Sequence, residues 1–266
     1  MMGLLGDTGP IPIKSRRELE SMRVAAKHVA EILIELREMV RPGVTTREID
    51  ERARRSIRER KVDSSFLGYG PHGLPKYPAV ICLSVNEEIV HGIPSGRRLK
   101  SGDIVGLDYG VVYQGFFGDA ARTVPVGEVP ESTLRLLRVT REALYAGIAQ
   151  AQVGNRISDI SRAVQEVAEN AGYSVVTEFA GHGIGRRLHE DPQVPNYFRR
   201  GMPNPRLQEG MALAIEPMVN EGTPDLEILS DGWTAVTADG RLSAHFEHSI
   251  AITSNGPVIL SELANV

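Results

Sequence analysis

An internal repeat is the feature that most restricts how this chain can fold. Residues 40–50 align with residues 151–161, and the aligned pairs all lie 111 positions apart: Gly43 with Gly154, Glu48 with Asp159, and Ile49 with Ile160. Each copy joins two segments with the periodicity of amphipathic helices, predicted at 16–39 and 46–60, and again at 131–149 and 158–171. Glycine suits the end of a helix, and Thr or Ser suits the cap of the next one. Both copies therefore predict the same helix-loop-helix unit.

Strand-like runs follow each helix pair, at 77–85 and 104–112 in the first half and at 212–218 and 244–252 in the second. Two similar halves of helices and strands predict one α+β domain with pseudo-twofold symmetry. A functional site between the halves would draw its residues from both. General capping rules also produce similar helix pairs without any symmetry, so the repeat alone leaves both interpretations open.

Size and charge exclude several classes of partner. The 266 residues suffice for one large domain or two small ones, and 41% hydrophobic residues can form a core. A net charge of -4 gives no overall attraction to nucleic acid or anionic lipid. One local basic cluster departs from this balance, and we interpret it as a solvated helix face: Arg54, Arg55, Arg58, Arg60 and Lys61.

The single cysteine, Cys82, excludes an intrachain disulfide and a cysteine-cluster zinc site, which favours a reducing cytoplasm. No run approaches the ~20 apolar residues of a membrane span, and the N-terminus lacks the pattern of a signal peptide. We therefore expect a cytoplasmic protein without a membrane segment. The Gly- and Pro-rich start predicts an N-terminal tail or arm at 1–14, ahead of one domain at 15–266.

Two aspartates lie on neighbouring strand-like runs, Asp108 within 104–112 and Asp119 within 116–120. If the hairpin turn is centred between Tyr113 and Gln114, the two carboxylates lie directly opposite each other. If it is centred on Gln114-Gly115, they are diagonal neighbours on one face, whereas a three-residue loop sends them to opposite faces. Because paired aspartates in apolar strands repel and are costly to desolvate, either same-face register predicts a cation between them.

Three further candidates are spread over the second half: His182 among glycines, Glu216 before Pro217, and Glu247 beside His248. Taken singly, they fit a core histidine, a strand end and a surface carboxylate. Together with the aspartates, they form the imidazole and carboxylate set that suits two divalent first-row ions. Strand alternation places His245 on the same side as Glu247, as a partner of the ligands, and points His248 the other way.

Other catalytic patterns are absent or misplaced. Residues 68–73 match G-x-G-x-x-G in form, but Pro71 lies inside the match and no helix pattern follows it, as a dinucleotide phosphate would need. His182 and His189 lie seven residues apart across glycines, which excludes the helical H-E-x-x-H zinc motif. No G-x-S-x-G marks a serine nucleophile.

The candidates stand within longer motifs: Ser84-Val-Asn-Glu-Glu-Ile-Val-His-Gly-Ile-Pro94, Gly102-Asp-Ile-Val-Gly-Leu-Asp108, Gly115-Phe-Phe-Gly-Asp119, Gly181-His-Gly-Ile-Gly185 with His189-Glu190, Ile215-Glu-Pro-Met-Val-Asn220, Asp231-Gly-Trp-Thr234 and Glu247-His248. Through these motifs the chain resembles the type I methionine aminopeptidases, which are metallopeptidases with the pita-bread fold, over about residues 15–262. The resemblance implies two pseudo-symmetric halves with a central antiparallel sheet covered by helices.

The resemblance also implies a role for individual residues. Two divalent ions, drawn from Mn, Fe, Co, Zn or Ni, would be held by five ligands: Asp108, Asp119, His182, Glu216 and Glu247, with Asp119 and Glu247 bridging. Glu216 would accept and pass on the proton of the attacking water, His189 would support the oxyanion, and His91 would contact the scissile amide or leaving group.

The same resemblance implies a methionine pocket walled by Tyr69, Cys82 and Trp233. Leu188 stands where many relatives carry an aromatic residue, which implies a wider pocket. The loop at 68–77 looks longer than in familiar bacterial members, so it is expected to alter the lining.

The implied function is removal of the N-terminal initiator methionine from nascent proteins and peptides, by a monomer without a nucleic acid cofactor or a membrane. Contact with the ribosome through the basic cluster or the N-terminal arm stays open. A proline-directed aminopeptidase or dipeptidase of the same fold would share the ligands, but usually carries a substantial domain ahead of the catalytic one. An inactive binding protein on this fold is expected to have lost a ligand, and all five are present.

Overall fold

The computed structural model describes residues 10–70 and 75–262. In chain order its elements are α1 (Arg16–Met39), α2 (Thr46–Arg60), β1 (Asp63–Ser64), β2 (Cys82–Val85), β3 (Glu88–Val90), β4 (Ile104–Tyr113), β5 (Phe116–Pro125), α3 (Glu131–Gln150), α4 (Ile157–Asn170), β6 (Ser174–Val175), β7 (Ala180–Gly183), β8 (Glu190–Pro195), β9 (Ala212–Ile215), β10 (Met218–Asn220), β11 (Leu226–Ile228), β12 (Ala235–Thr237), β13 (Ser243–His245), β14 (Glu247–Thr253) and β15 (Gly256–Ile259). Within those ranges, no helix combines the length and the apolar character needed to cross a bilayer.

The four helices lie where their periodicity predicts, and side-chain capping defines the start of the first two. The hydroxyl of Ser15 accepts a hydrogen bond from the backbone N–H of Glu18, whose carboxylate accepts one from Ser15 in return. Thr45 and Glu48 repeat this capping box at the start of α2. Each box satisfies amide groups that a helix start would otherwise leave without partners, so the helix begins at a defined residue.

The internal repeat is structural. Gly43 and Gly154 both adopt the left-handed conformation, with φ of 95° and 93°. The N–H of Gly43 donates to the carbonyl of Leu99 (2.8 Å), and that of Gly154 donates to Leu207 (3.0 Å). Each leucine donates back to the residue after its glycine. Helix capping does not account for these bonds to distant loops, so the two halves are repeats of one unit.

A nine-stranded sheet joins the halves, in the order β1-β4-β5-β14-β9-β7-β8, with β2 on β4 and β15 on β14. The halves meet in this sheet where β5 pairs with β14. On β4, Leu107 and Tyr109 pack against the core beneath α1 and α2, and on β9, Leu213 and Ile215 join the core formed with α3 and α4. The helices therefore cover one face, and alternate residues of the same strands point to the other.

The strand prediction at 77–85 is wrong in its first part, because only Cys82–Val85 pairs as a strand. Tyr77 is buried in a loop, where its hydroxyl donates to the carbonyl of Gly92 (2.8 Å) and lies 3.2 Å from that of Ile81. An apolar run can be buried through such side-chain bonds without joining a ladder. Periodicity alone does not separate the two cases.

The predicted strands at 212–218 and 244–252 are each interrupted. The first breaks at Glu216-Pro217, since proline has no N–H to continue the ladder, and the second breaks at Phe246, whose N–H donates to the Pro217 carbonyl (3.3 Å). Beyond the breaks, β13 and β10 form a separate three-stranded sheet with β6, and β11, β12 and β3 form another.

Most of the predicted N-terminal tail, residues 1–9, lies outside the described residues. The remaining part runs along the domain: the N–H of Lys14 donates to the Gly210 carbonyl (2.8 Å), and Ile11 packs against the core of the second half. The side chain of Lys14 is buried and pairs with Glu190 at 2.7 Å. The division at residue 14 stays a prediction.

The basic cluster on α2 is only partly a solvated face. Arg54 pairs with Asp50 at 2.7 Å, and Arg60 pairs with Glu35 of α1. Arg55, Arg58 and Lys61 are exposed, as predicted.

Candidate metal centre

Strand register places the predicted ligands of the first half on one face of the large sheet, together with Glu247. Across four adjacent strands, Cys82 lies opposite Asp108, Asp108 opposite Ala121, and Ala121 opposite Glu247. Directly opposed residues of antiparallel strands point to the same face. Asp119 lies two residues before Ala121 on β5, so it shares that face.

The ligands of the second half join the same face. His182 of β7 lies opposite Ala214 of β9, and Glu216 follows Ala214 by two residues. Ala214 in turn lies opposite Ser249 of β14, two residues after Glu247. The alternation of side chains therefore directs His182, Glu216 and Glu247 to one side of the sheet.

Of the two same-face registers predicted for the aspartates, the diagonal one is present. Gly110 lies opposite Asp119, and the turn residues Gln114 and Gly115 both have positive φ, 50° and 78°. Such a two-residue turn matches the twist of a hairpin. A Cβ atom at Gly110 would lie 3.0 Å from Asp119 Oδ1, so the glycine leaves room for the carboxylate.

Several of these ligand atoms are close together and lack partners. One ligand atom each from Asp119, His182 and Glu247 lies within 4.8 Å of the others, and Glu216 Oε1 lies 3.4 Å from His182 Nε2. Among the described residues, one buried oxygen of each of three carboxylates accepts no hydrogen bond: Asp108 Oδ1, Asp119 Oδ1 and Glu247 Oε1. Buried carboxylate oxygens without partners are costly, and divalent ions would satisfy them. The residues therefore fit a metal site.

The electrostatics of the cluster favour the same conclusion. Burial raises the pKa of Asp108 to about 7. Burial, followed by the charges of neighbouring carboxylates, raises the pKa values of Asp119, Glu216 and Glu247 well above their ordinary range. Without a cation, the site therefore retains protons that a metal ion would displace.

His182 is oriented for coordination. Its Nδ1 lies 2.9 Å from the carbonyl oxygen of Gly183, which can only accept, so Nδ1 carries the proton. The lone pair then lies on Nε2, the nitrogen that faces Glu216. Burial lowers the pKa of His182 to about 4, which keeps the ring neutral and able to bind a metal ion.

His189 lies next to His182, with ring centroids 4.3 Å apart, and its Nδ1 is 2.6 Å from the Tyr69 hydroxyl. Burial, and next the charge of His182, lowers the pKa of His189 well below its ordinary value. The loop before His189 is held by Glu190, whose carboxylate accepts bonds from the N–H groups of Arg186 (2.8 Å) and Arg187 (3.1 Å). The ring is therefore fixed from both sides.

His91 follows β3 in a left-handed backbone conformation, with φ of 61°. Its ring packs edge-on against Phe179 and Trp233, with centroids 5.3 Å and 6.0 Å away. Burial, then the charge of His189, lowers the pKa of His91 to about 4. Because positive φ is uncommon for residues other than glycine, the surrounding packing helps to hold this imidazole in place.

A cavity of about 370 Å³ contains all of these groups. Its lining includes the five predicted ligands, the two predicted catalytic histidines His91 and His189, and Leu188. It also includes the three predicted pocket residues, Tyr69, Cys82 and Trp233. Other lining residues were not predicted: Phe66, Tyr77, Val90, Glu178, Phe179, Ala180 and Met218. No local pattern distinguishes these side chains from core residues. Residues 71–74, within the loop thought to be longer, lie outside the described ranges.

His245 and His248 point in different directions. The Nε2 atom of His245 lies 3.7 Å from Glu216 Oε2, so its nearest carboxylate is Glu216 rather than Glu247. His248 points away from the cavity, and its Nδ1 lies 2.8 Å from the Ser261 hydroxyl. Alternation predicts His245 as a partner of the proposed ligands, and its ring lies beside one of them, Glu216.

Comparison with known proteins identifies related sequences and structures. Residues 20–254 match the model of metallopeptidase family M24. A methionine aminopeptidase of Clostridium perfringens is 49% identical over 252 residues, which cover 94% of this chain and 98% of the relative. The crystal structure of a methionine aminopeptidase from Thermotoga maritima matches with a TM-score of 0.91 and 46% identity, over 96% of this chain and 100% of that one.

A proline-directed enzyme shares the architecture at lower similarity. A Xaa-Pro dipeptidase of Bacillus anthracis matches with a TM-score of 0.76 and 22% identity, and the match covers 63% of that chain. This likeness concerns the fold alone.

Proposed function

Because this chain belongs to metallopeptidase family M24 and is a metal-dependent hydrolase of the pita-bread fold, we propose that it removes the N-terminal methionine from peptides and nascent proteins. The observation that carries the proposal is a cavity in which the five candidate metal ligands face an apolar pocket. Near-complete coverage of relatives named methionine aminopeptidase supports methionine as the residue removed.

We propose that Asp108, Asp119, His182, Glu216 and Glu247 would hold two divalent ions. Their unpartnered oxygens and raised carboxylate pKa values support this assignment. Such ions, from Mn, Fe, Co, Zn or Ni, supply an activated water and polarise the scissile carbonyl.

Glu216 is suited to move a proton during hydrolysis. Its two carboxylate oxygens face His182 Nε2 at 3.4 Å and His245 Nε2 at 3.7 Å. In the protein without bound metal, burial raises the pKa of Glu216. A carboxylate within reach of the attacking water serves as a general base. We assign to it the transfer of a proton from the attacking water to the departing amine.

The two neutral histidines are placed to contact the reacting amide. We assign the Tyr69 hydroxyl as the donor to Nδ1 of His189, an assignment that leaves the proton on Nε2, where it can be donated to the developing oxyanion. His91 lines the same cavity, and we assign to it the contact with the scissile amide or the leaving group. Both pKa values are lowered, which keeps the rings uncharged at neutral pH.

The apolar part of the cavity fits an unbranched thioether. Tyr69, Cys82 and Trp233 belong to one packed cluster with Phe66 and Leu188. Sulfur makes favourable contacts with aromatic rings, and methionine adapts to irregular pockets. We therefore assign the methionine side chain to this cluster.

We further propose a cytoplasmic monomer that meets nascent chains in transient contact with the ribosome, with residues 1–14 as an arm on a single catalytic domain. The free buried thiol of Cys82 is compatible with a reducing compartment. The groups available for such a contact are the exposed residues of the basic cluster, Arg55, Arg58 and Lys61.

Release of free methionine from the peptide Met-Ala-Ser tests the function. The metal-stripped protein is assayed with Mn, Co, Fe, Zn or Ni added singly, and Ala-Pro-Ser serves as the matched peptide. Metal-dependent cleavage of the methionine peptide alone is expected. Cleavage of the proline peptide instead would identify the protein as a proline-directed enzyme. Bound metal without cleavage of either peptide would favour an inactive binding protein.

A further inference from the structure

A second cavity, of about 460 Å³, lies on the helix-covered side of the large sheet, behind the metal centre. Residues of β5 and β14, the strands that join the halves, form its floor, and α1 and α3 form its walls. Four arginines line it, from three different elements: Arg37, Arg122, Arg138 and Arg141. The cavity is separate from the peptide site, because the ligands of that site point to the opposite face.

These arginines have few counter-charges. Among the described residues, Arg37, Arg122 and Arg141 form no side-chain hydrogen bond or ion pair, and Arg138 pairs only with Glu131, at 3.5 Å. Glu262 is the one acidic residue in the described lining, and its carboxylate accepts a bond from Tyr145 (3.0 Å). The described lining is therefore net positive, in a protein with a net charge of -4.

The partial burial of Arg122 distinguishes this cavity from an ordinary basic surface. An exposed arginine on a helix is hydrated by water, and Arg37, Arg138 and Arg141 alone would carry no inference. Arg122 lies within β5, paired with Leu107 of β4, and is partly buried. Burial, and next the charge of Arg37, lowers the pKa of Arg122. A desolvated guanidinium beside a like charge is costly unless an anion compensates both.

We propose that this cavity binds a small phosphate monoester. Guanidinium forks match phosphate oxygens in pairs, and Arg37, Arg122 and Arg141 offer three such forks around one space. The organic part of the ligand lies against the apolar wall formed by Ile34, Leu137 and Phe246. The volume is in the range of small-molecule sites. The binding does not depend on peptidase activity, so the two proposals can fail separately.

Titration calorimetry of the metal-loaded, full-length protein tests the site, with adenosine 5′-monophosphate as probe and adenosine as its uncharged match, at constant ionic strength. Arg122→Met removes the charge and keeps an apolar stem, while Arg122→Lys keeps the charge without the fork. We expect the monophosphate to bind about tenfold or more tightly than adenosine, and Arg122→Met to weaken it by about tenfold or more. Arg122→Lys should give an intermediate affinity.

Asp108→Asn is the control for phosphate bound by metal ions in the peptide cavity, and it should leave the monophosphate affinity unchanged. Loss of binding in Asp108→Asn, equal binding in Arg122→Met, or no saturable binding to the wild type would overturn the proposal. A uridine decamer separates an RNA backbone from a free monoester, and binding of the decamer without the monophosphate also overturns it. If circular dichroism shows that Arg122→Met does not fold, the double variant Arg37→Gln/Arg141→Gln, at two exposed positions, is tested in its place.

Discussion

Asp108 and Asp119 are diagonal neighbours across their hairpin, with Asp108 opposite Ala121 and Asp119 opposite Gly110. Each carboxylate thus faces one of the two smallest residue types instead of the other carboxylate. Both still point to the same side of the sheet, because the register differs from direct opposition by two residues. The arrangement leaves space beside the acids that ions can occupy.

Replacing one proposed ligand should remove turnover without unfolding the chain. Asp108→Asn and Glu247→Gln keep the side-chain shapes and remove the negative charges, so we expect kcat/KM for Met-Ala-Ser to fall by more than about 100-fold, the upper range for residues that only support metal ligands. Metal content should fall as well. Asp63→Asn, an exposed carboxylate on the same sheet, is the matched control. Full activity in a metal-analysed Asp108→Asn sample would exclude the proposed site.

In the metal-free protein, the stabilising contribution of Asp108 should fall as the pH rises from about 3.9 to about 7. The pKa of Asp108 is raised to about 7 in the folded state, against about 3.9 when unfolded, so its stabilising effect is present below the lower value and lost as pH rises through the higher one. The lowered pKa values of His91 and His182 act in the opposite direction, but only below about 6.5. Thermal unfolding of the metal-stripped protein across this range measures the effect.

Asp108→Asn should reduce this pH dependence. We expect metal-free Asp108→Asn to unfold about 3 °C or more above the metal-free wild type at about pH 8, since about 1 kcal/mol shifts Tm by roughly 2–4 °C in a chain of this size. The difference should shrink toward about pH 4, where both forms are uncharged at this position. Parallel curves for the two proteins would show that this carboxyl is not desolvated.

The buried ion pair of Lys14 and Glu190 should support the stability of the fold. The side chains are 6% and 5% exposed, and their charged atoms are 2.7 Å apart. Lys14→Met leaves the carboxylate with only two backbone donors, so we expect a loss of about 3–5 kcal/mol in the free energy of unfolding. Chemical denaturation of Lys14→Met, Glu190→Gln and the double variant measures the coupling. Additive losses would contradict a direct interaction.

Tyr69→Phe should slow the chemical step more than it weakens binding. The ring and its packing are retained, but the 2.6 Å contact from the hydroxyl to His189 Nδ1 is lost. We expect kcat to fall by roughly 10- to 100-fold, as when a group that orients a functional imidazole is removed, with little change in KM. Tyr113→Phe, outside the cavity, is the control. A change in KM alone would place Tyr69 in binding rather than in orientation of His189.

Local chemistry explains which parts of the fold could be predicted. The helices begin within a residue of their predicted positions, and the caps of α1 and α2 depend on residues three apart, such as Ser15 and Glu18. The hairpin could be reduced to two same-face registers, but the choice between them depended on the left-handed conformation of Gln114 and Gly115. The breaks near Glu216 and at Phe246 depend on pairing between distant strands, which periodicity does not contain.

The site was predicted unevenly for the same reason. The ligands belong to motifs that identify a family, whereas Phe66 and Phe179 enter the cavity only through the way loops and strands pack around it. The second cavity, around Arg122, could not be predicted from the sequence at all. One arginine in an apolar strand carries no signal by itself, and its neighbours Arg37 and Arg141 come from separate helices.

Within the large sheet, the described main-chain pairing between the halves is limited to two residue pairs, Ala120 with His248 and Ala121 with Glu247. The proposed ligands straddle this narrow seam, two on one side and three on the other. An ion held there would act as a reversible cross-link between the halves as well as a catalyst. Loss of metal would then weaken the contact between the two halves. A shortage of the ion would therefore lower both the stability and the activity of the protein through the same site.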